Sequence, residues 1–315
     1  MSDAQEFMKK CKKCQENANF HKAPPEELNL MMAPRPFAQW GVKLLGPFPP
    51  GPRQVKYLIV AIDYFTKWVE AEPLASISAA NCQKFMWKQV VTRFRIPETV
   101  ISDNGTQFTD KKFNGFLEGL GIKQNFSSVE HPQTNGQVEA ANKVILKGLK
   151  KRLEGKKGSW AEELAPVLWS YRTTSQSSTG ETPFRLTYGV DTVIPVEVGE
   201  PSPRLLFGRG SEVVEKDLAD ETRQMAHLAE AAIKQRVALR YNGKVLKRNL
   251  GEGNLILRRN DIGPPTPGEG KLAANWEGPY RVKEVLDKGG YKLERLNGNE
   301  VPRTWNMANL KRFYS

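Results

Sequence analysis

Tyr57-Leu58-Ile59-Val60-Ala61-Ile62-Asp63-Tyr64-Phe65-Thr66-Lys67-Trp68 is the stretch on which the fold turns. Tyr57 to Ile62 is the longest clean apolar run in the chain. It is far too short to span a bilayer, and its β-branched content marks it as a buried-type strand. Upstream, Trp40 to Leu45 reads as a strand, and Gly46-Pro47-Phe48-Pro49-Pro50-Gly51-Pro52 as a turn-rich loop that folds the two into a hairpin. Downstream, Lys67 to Glu72 continues as a third strand. Ala79 to Phe94 then has helical spacing (Phe85, Val90, Phe94), and Thr99 to Ser102 is a short strand. Asp110 to Leu120 is a helix with Phe113, Phe116, Leu117 and Leu120 on one face. Ile122 to Phe126 is a strand, and a long helix runs from about Gln137 to Leu153. Trp160 to Thr173 and Thr182 to Tyr188 add helical cover. The order predicts an α/β fold with a mixed sheet and flanking helices.

The 315 residues suffice for two or three small domains. Residues 1–35 are short, polar and Lys-rich, ending in a linker, and 36–190 hold the α/β core. Residues 191–249 are a second linker and a charged helix from Ser211 to about Tyr241. In that helix Met225, Leu228, Ala229 and Ala232 fall at helical spacing without a sustained heptad. Residues 250–315 change to short β-like runs (Asn254–Leu257, Tyr280–Val285, Tyr291–Leu296) and predict a small all-β module. The formal charge of +12 favours a polyanion, nucleic acid before membrane. Three cysteines argue for a reducing compartment, and the first residues carry no basic region followed by an apolar core. The expectation is an intracellular protein, nuclear or cytoplasmic, with no membrane partner.

Asp103 ends a predicted strand in Ile101-Ser102-Asp103-Asn104-Gly105, where open α/β sheets expose functional side chains. A lone Asp-Asn-Gly is read first as an Asx turn. Glu139 follows His131-Pro132-Gln133-Thr134-Asn135-Gly136-Gln137-Val138 and lies in the first turn of the long helix, where glutamate ordinarily complements the helix dipole. Lys143, Lys147 and Lys150 recur along the same face, with Lys151 and Arg152 beyond. That stripe suits a phosphodiester, although a solvated lysine face is equally ordinary.

Taken together, the run from Tyr57 to Trp68, Ile101-Ser102-Asp103-Asn104-Gly105-Thr106-Gln107-Phe108, and His131 to Glu139 resemble the integrase of gypsy-type LTR retrotransposons. That family is retroviral-integrase-like, and the chain looks like a fragment of a plant-type polyprotein. The late Trp276-Glu277-Gly278-Pro279-Tyr280 resembles the family's Gly-Pro-Tyr module, which implies a C-terminal Src-homology-3-like β-barrel. The resemblance implies a ribonuclease-H-like core in which three acids hold Mg²⁺ or Mn²⁺, and in which the metals serve DNA 3′-end processing and strand transfer. It implies double-stranded DNA as partner and a homo-oligomer as the working form. Asp103 and Glu139 match the second and third acids; 139 minus 103 is 36, leaving 35 residues between.

The first acid's position, in a Trp-Gly-x-Asp-x-x-Gly-Pro pattern, is Lys43 here. Ammonium has no lone pair for a metal, and the formal site charge changes from −3 to −1. With a hairpin centred near Pro50, Lys43 pairs near Tyr57 or Leu58. Asp63 then lies roughly 18 Å away, too far to substitute. Cys11-Lys12-Lys13-Cys14 matches half a zinc site, but no histidine precedes it. The expectation is a chain that begins inside the zinc module and holds no Zn²⁺. Arg258, Arg259, Lys311 and Arg312 are weaker DNA candidates, an ordinary solvated surface being the better reading.

Two readings stand: a polynucleotidyl transferase that still works, and a DNA-binding remnant disabled at Lys43, which the charge argument favours. A third class is an interaction protein using Ser211 to Tyr241.

Overall fold

In the computed structural model the apolar run lies beside the middle of a sheet of five strands. These are β1 (Gln39–Leu45), β2 (Tyr57–Asp63), β3 (Val69–Leu74), β4 (Thr99–Ser102) and β5 (Lys123–Phe126), in the order β3-β2-β1-β4-β5. β1, β2 and β3 form an antiparallel meander, whereas β4 and β5 run parallel to β1. The structure describes residues 6–7, 10–20, 27–28, 30–126, 136–153, 157–193, 218–246, 250–261, 273–286 and 290–314. Chain contacts divide into two units, Leu30–Ser128 with Pro132–Arg236, and Met1–Asn29 with Val129–His131 and Val237–Ser315.

β2 is apolar throughout because both faces of the sheet are covered. Leu58, Val60 and Ile62 pack with α3 (Gly136–Arg152) through Val138, Ala141, Ile145 and Leu149. Ile59 and Ala61 pack on the other side with α1 (Ala79–Phe85) and α2 (Lys111–Gly119) through Phe85, Phe113 and Leu117. α4 (Leu164–Thr173) and α5 (Pro183–Tyr188) add further cover.

Several boundaries differ from the sequence reading, each for a local reason. The third strand begins at Val69, because Asp63 folds Thr66 and Lys67 into a turn: its Oδ2 accepts from Thr66 N at 2.8 Å and Thr66 Oγ1 at 2.7 Å, and Lys67 adopts φ 63°. The first long helix is capped by Ser78, gives way to a π turn over Met86–Val91 and stops before Phe94. Phe94 instead stacks on Phe37 at 4.8 Å. A single helical turn, Thr106–Thr109, was not expected.

The last helix of the first unit, α6 (Ala219–Asn242), crosses the division between the units. Residues 211–217, with which the expected helix opened, lie outside the described residues, as do His21 and His131.

The second unit holds an antiparallel sheet of five strands, β6 (Leu255–Arg259), β7 (Trp276–Val285), β8 (Gly290–Arg295), β9 (Glu300–Asn306) and β10 (Leu310–Arg312), in the order β10-β6-β7-β8-β9. Gly278-Pro279 lies inside β7 because the register shifts there, between the Ile256 and Arg258 pairings. β9 escaped the sequence reading because it contains Pro302; it ends the strand order, where proline is tolerated.

Candidate catalytic site

The pleat of β1 sends Trp40 and Val42 to one face of the sheet and Gly41 and Lys43 to the other, which α3 covers. Gly41 matters for its missing Cβ. A methyl there would lie 2.3 Å from Val138 Cγ2 and 2.5 Å from Tyr64 Cε1. The first turn of α3 therefore rests on bare backbone, and the residue after Val138 reaches Lys43. Lys43 Nζ donates to Glu139 Oε1 at 2.8 Å, with the side chains 25% and 47% exposed. Burial holds the neighbouring Tyr64 phenol above its ordinary range, and the Glu139 carboxylate pushes it the same way.

Asp103 follows the last residue of β4, Ser102, where the chain turns away from the sheet. Its Oδ1 accepts from Gly105 N at 3.0 Å, the Asx turn that a lone Asp-Asn-Gly predicts. Lys43 and Glu139 touch, while Asp103 lies close enough to the Cys82 thiol of α1 to add to the rise that burial gives it. Among the described residues no group of three His, Cys, Asp or Glu side chains could hold a metal ion. The donor set does not fit a pair of divalent cations: one of its three members is an ammonium, and that ammonium occupies a carboxylate oxygen.

The expected hairpin register is corrected. Lys43 pairs with Val60, and Leu45 with Leu58, so the turn centres between Gly51 and Pro52. The Pro52–Gln54 turn, with Arg53 at φ 57° and Gln54 at φ 59°, moves the centre beyond Pro50. Asp63 is then three residues from the partner of Lys43, about 10 Å along the strand. An odd step also sends it to the opposite face. Asp63 is fully buried and accepts from Phe37 N at 3.1 Å as well as from Thr66. Burial pushes its carboxyl up to about 6.

The α3 candidates Lys143, Lys147, Lys150, Lys151 and Arg152 are all exposed. Arg152 pairs with Glu163 at 2.5 Å. Lys151 and Arg152 border a cavity of about 490 Å³ between α3 and α4, with Ser170 and Thr174 opposite. In the second unit the four weaker candidates have internal partners. Arg258 pairs with Glu277 at 2.7 Å and lies over Trp305, and Arg259 lies 4.2 Å over Phe20. Lys311 donates to Gln15 O at 3.1 Å, and Arg312 lies over Tyr314. Cys11 and Cys14 are free thiols joined by hydrogen bonds: the backbone N–H of Cys14, and then its thiol, lower Cys11, and the bond to Cys11 raises Cys14.

One polar cluster had no signal in the sequence. Lys67, buried in the turn after β2, donates to Tyr64 O at 2.6 Å, Gln137 Oε1 at 2.6 Å and Glu230 Oε1 at 2.7 Å. Burial draws its ammonium down to about 8, against the pull of Glu230. Lysine is so seldom buried that nothing in the local pattern predicts this placement.

Residues 33–132 match the integrase core domain, and residues 250–314 match a domain family of unknown function. The chain is 28% identical over 193 residues to the Pro-Pol polyprotein of simian foamy virus type 3 (strain LK3), covering 61% of this chain and 17% of the relative. It is 24% identical over 286 residues to the retrovirus-related Pol polyprotein from transposon 412 of Drosophila melanogaster, covering 87% and 22%. The chain thus spans well under two thirds of the length of these relatives. In fold it is similar to a chain in the cryo-EM structure of the simian T-cell lymphotropic virus intasome in complex with PP2A regulatory subunit B56 gamma. That likeness has a TM-score of 0.59 and 15% identity, over 100% of this chain and 91% of that one. The first unit accordingly has the ribonuclease-H-like fold, a mixed sheet with flanking helices.

Proposed function

We propose that this chain is a DNA-binding protein derived from the integrase of a gypsy-type retrotransposon, and that its own end-processing and strand-transfer chemistry is disabled at Lys43. The observation that carries the proposal is the 2.8 Å ion pair between Lys43 and Glu139 inside an integrase core. Where the resemblance expects a metal-binding acid, the ammonium neutralises a carboxylate instead. Asp103 and Glu139 are the retained acids in this reading, and Mg²⁺ or Mn²⁺ is not held by them in the catalytic arrangement. Double-stranded DNA is bound through its phosphates by Lys143, Lys147, Lys150 and Lys151, with Arg152 supporting them from its pair with Glu163.

The proposed segmentation is 1–35, 36–190, 191–249 and 250–315. The last segment is read as an Src-homology-3-like barrel, and three register shifts in its sheet, which bend and twist strands, support that curvature. An intracellular site and a homo-oligomeric state accompany the reading. No described helix is long and apolar enough to cross a membrane.

The test is strand transfer of a short duplex in Mg²⁺ or Mn²⁺, comparing the natural chain with Lys43→Asp, alongside duplex binding at graded salt. The expected result is salt-dependent binding by both proteins and transfer by the aspartate variant alone. Transfer by the natural chain would sink the proposal for Lys43. Salt-independent or absent binding would sink the DNA-binding part.

A further inference from the structure

Two cavities within the first unit run into each other along one flank of α3. The cavity between α3 and α4 shares Val144, Tyr171, Gln176 and Ser177 with a second one of about 360 Å³. The second continues past Ala140 to Gly136, at the start of α3, and reaches Lys67, Glu230 and Lys234. Together they form a groove that follows α3 from Gly136 to Arg152, about 24 Å at the helical rise. That length holds about seven residues of extended chain. The middle of the groove is apolar. Val144 is 52% exposed, Pro166 and Tyr171 line the wall opposite, and Gly148 lets α3 come down on Val167, whose Cγ1 would lie 2.9 Å from an added methyl. The ends are cationic, with Lys151 and Arg152 at one and Lys67 and Lys234 at the other. Glu230 is the one acid among the lining residues, and both lysines already hold it at 2.7 Å. Glu163 takes part of the Arg152 guanidinium from outside the lining. Among the described residues, the side chains of Ser177 and Ser178 have no hydrogen-bond partner.

We propose that this groove docks an extended acidic peptide of a partner protein, with carboxylates about six residues apart and apolar side chains between them. Charge complementarity selects the occupant: the carboxylates meet the two cationic ends, and Val144 and Tyr171 take the apolar side chains. The free hydroxyls of Ser177 and Ser178 pair with its backbone. A nucleic-acid strand would satisfy the ends, but it carries a phosphate at every step and leaves the apolar middle unmatched. The inference goes beyond the reading of the chain as a DNA-binding protein and separates from it at Lys143 and Lys147. Those two belong to the proposed DNA surface and do not line the groove, whereas Lys151 and Arg152 serve both.

Fluorescence anisotropy of a fluorescein-labelled peptide, Asp-Ser-Leu-Ala-Leu-Ser-Asp, titrated with the full chain tests it. Circular dichroism confirms that each variant is folded. The expected Kd is roughly 10–100 µM, weakened by roughly 10-fold or more when both aspartates of the peptide become asparagine. Val144→Gln, at an exposed helical position, is expected to weaken binding by roughly 10-fold, and Lys151→Gln with Arg152→Gln by as much. Lys143→Ala with Lys147→Ala should leave the peptide Kd within about 2-fold while weakening binding of duplex DNA. Absence of peptide binding at about 300 µM chain would overturn the proposal. So would equal binding of the asparagine peptide, or a loss with Lys143→Ala and Lys147→Ala as large as that with Lys151→Gln and Arg152→Gln. A labelled single-stranded oligonucleotide whose affinity falls with Val144→Gln as far as the peptide's would also overturn it, and would assign the groove to nucleic acid.

Discussion

Replacing Lys43 by aspartate is expected to make the protein less stable alone and more stable with a divalent cation. The natural ion pair, partly open to solvent, contributes about 0.2–1 kcal/mol. Aspartate forfeits that and faces the Glu139 carboxylate at about 5 Å, where repulsion at high dielectric costs about 0.8 kcal/mol. The sum, about 1–2 kcal/mol, lowers the thermal midpoint by roughly 3–6 °C for a unit of this size. A carboxylate trio with a cation Kd of about 100 µM then gains about 2.7 kcal/mol at about 10 mM metal, enough to reverse the loss. The assay is thermal unfolding followed by circular dichroism, in MgCl₂ or MnCl₂ and in NaCl of equal ionic strength. The natural chain should show the same midpoint in both salts. A natural chain stabilised as much as the variant would refute the reasoning, because Lys43 would then be no obstacle to the metal.

Gly41→Ala forces a methyl into Val138 and Tyr64 and should cost about 1–3 kcal/mol in urea unfolding. Because the Asp63 carboxyl is raised to about 6, its contribution to stability is complete below about pH 4 and is lost as pH rises through about 6. That loss is about 3 kcal/mol, and Asp63→Asn should flatten stability across the same window in denaturant titrations at stepped pH. Replacing Lys143, Lys147 and Lys150 with alanine should reduce the slope of log affinity against log salt by about 2.7 for duplex DNA, measured by fluorescence anisotropy.

Strands β2 and β4 were legible because apolar runs end at polar turn residues, Asp63 and Asp103. The helix α3 was legible because Val138, Ala141, Ile145 and Leu149 repeat at helical spacing. The hairpin register was not, since it depends on left-handed residues in a proline-rich loop that no periodicity reports. The position of Lys43 was readable, but its grip on Glu139 required the approach that Gly41 permits. For α6, the spacing of Met225, Leu228 and Ala232 announced an amphipathic helix. Which face turns inward was decided elsewhere, by Phe65, Lys67 and the carbonyls of α5.

The three bonds of Lys67 also set how the polypeptide must be cut and made. Its partners Gln137 and Glu230 lie beyond residue 132, where the match to the integrase core domain ends. A fragment trimmed to that match would strand an ammonium in the interior without its counter-charge, at a cost of several kcal/mol. During synthesis the same lysine is made long before its carboxylate, so its set of three partners is complete only once α6 has emerged. A soluble minimal version of this domain therefore has to run to Arg236 or further, and nascent chains that stop short of it are the ones a protease should find.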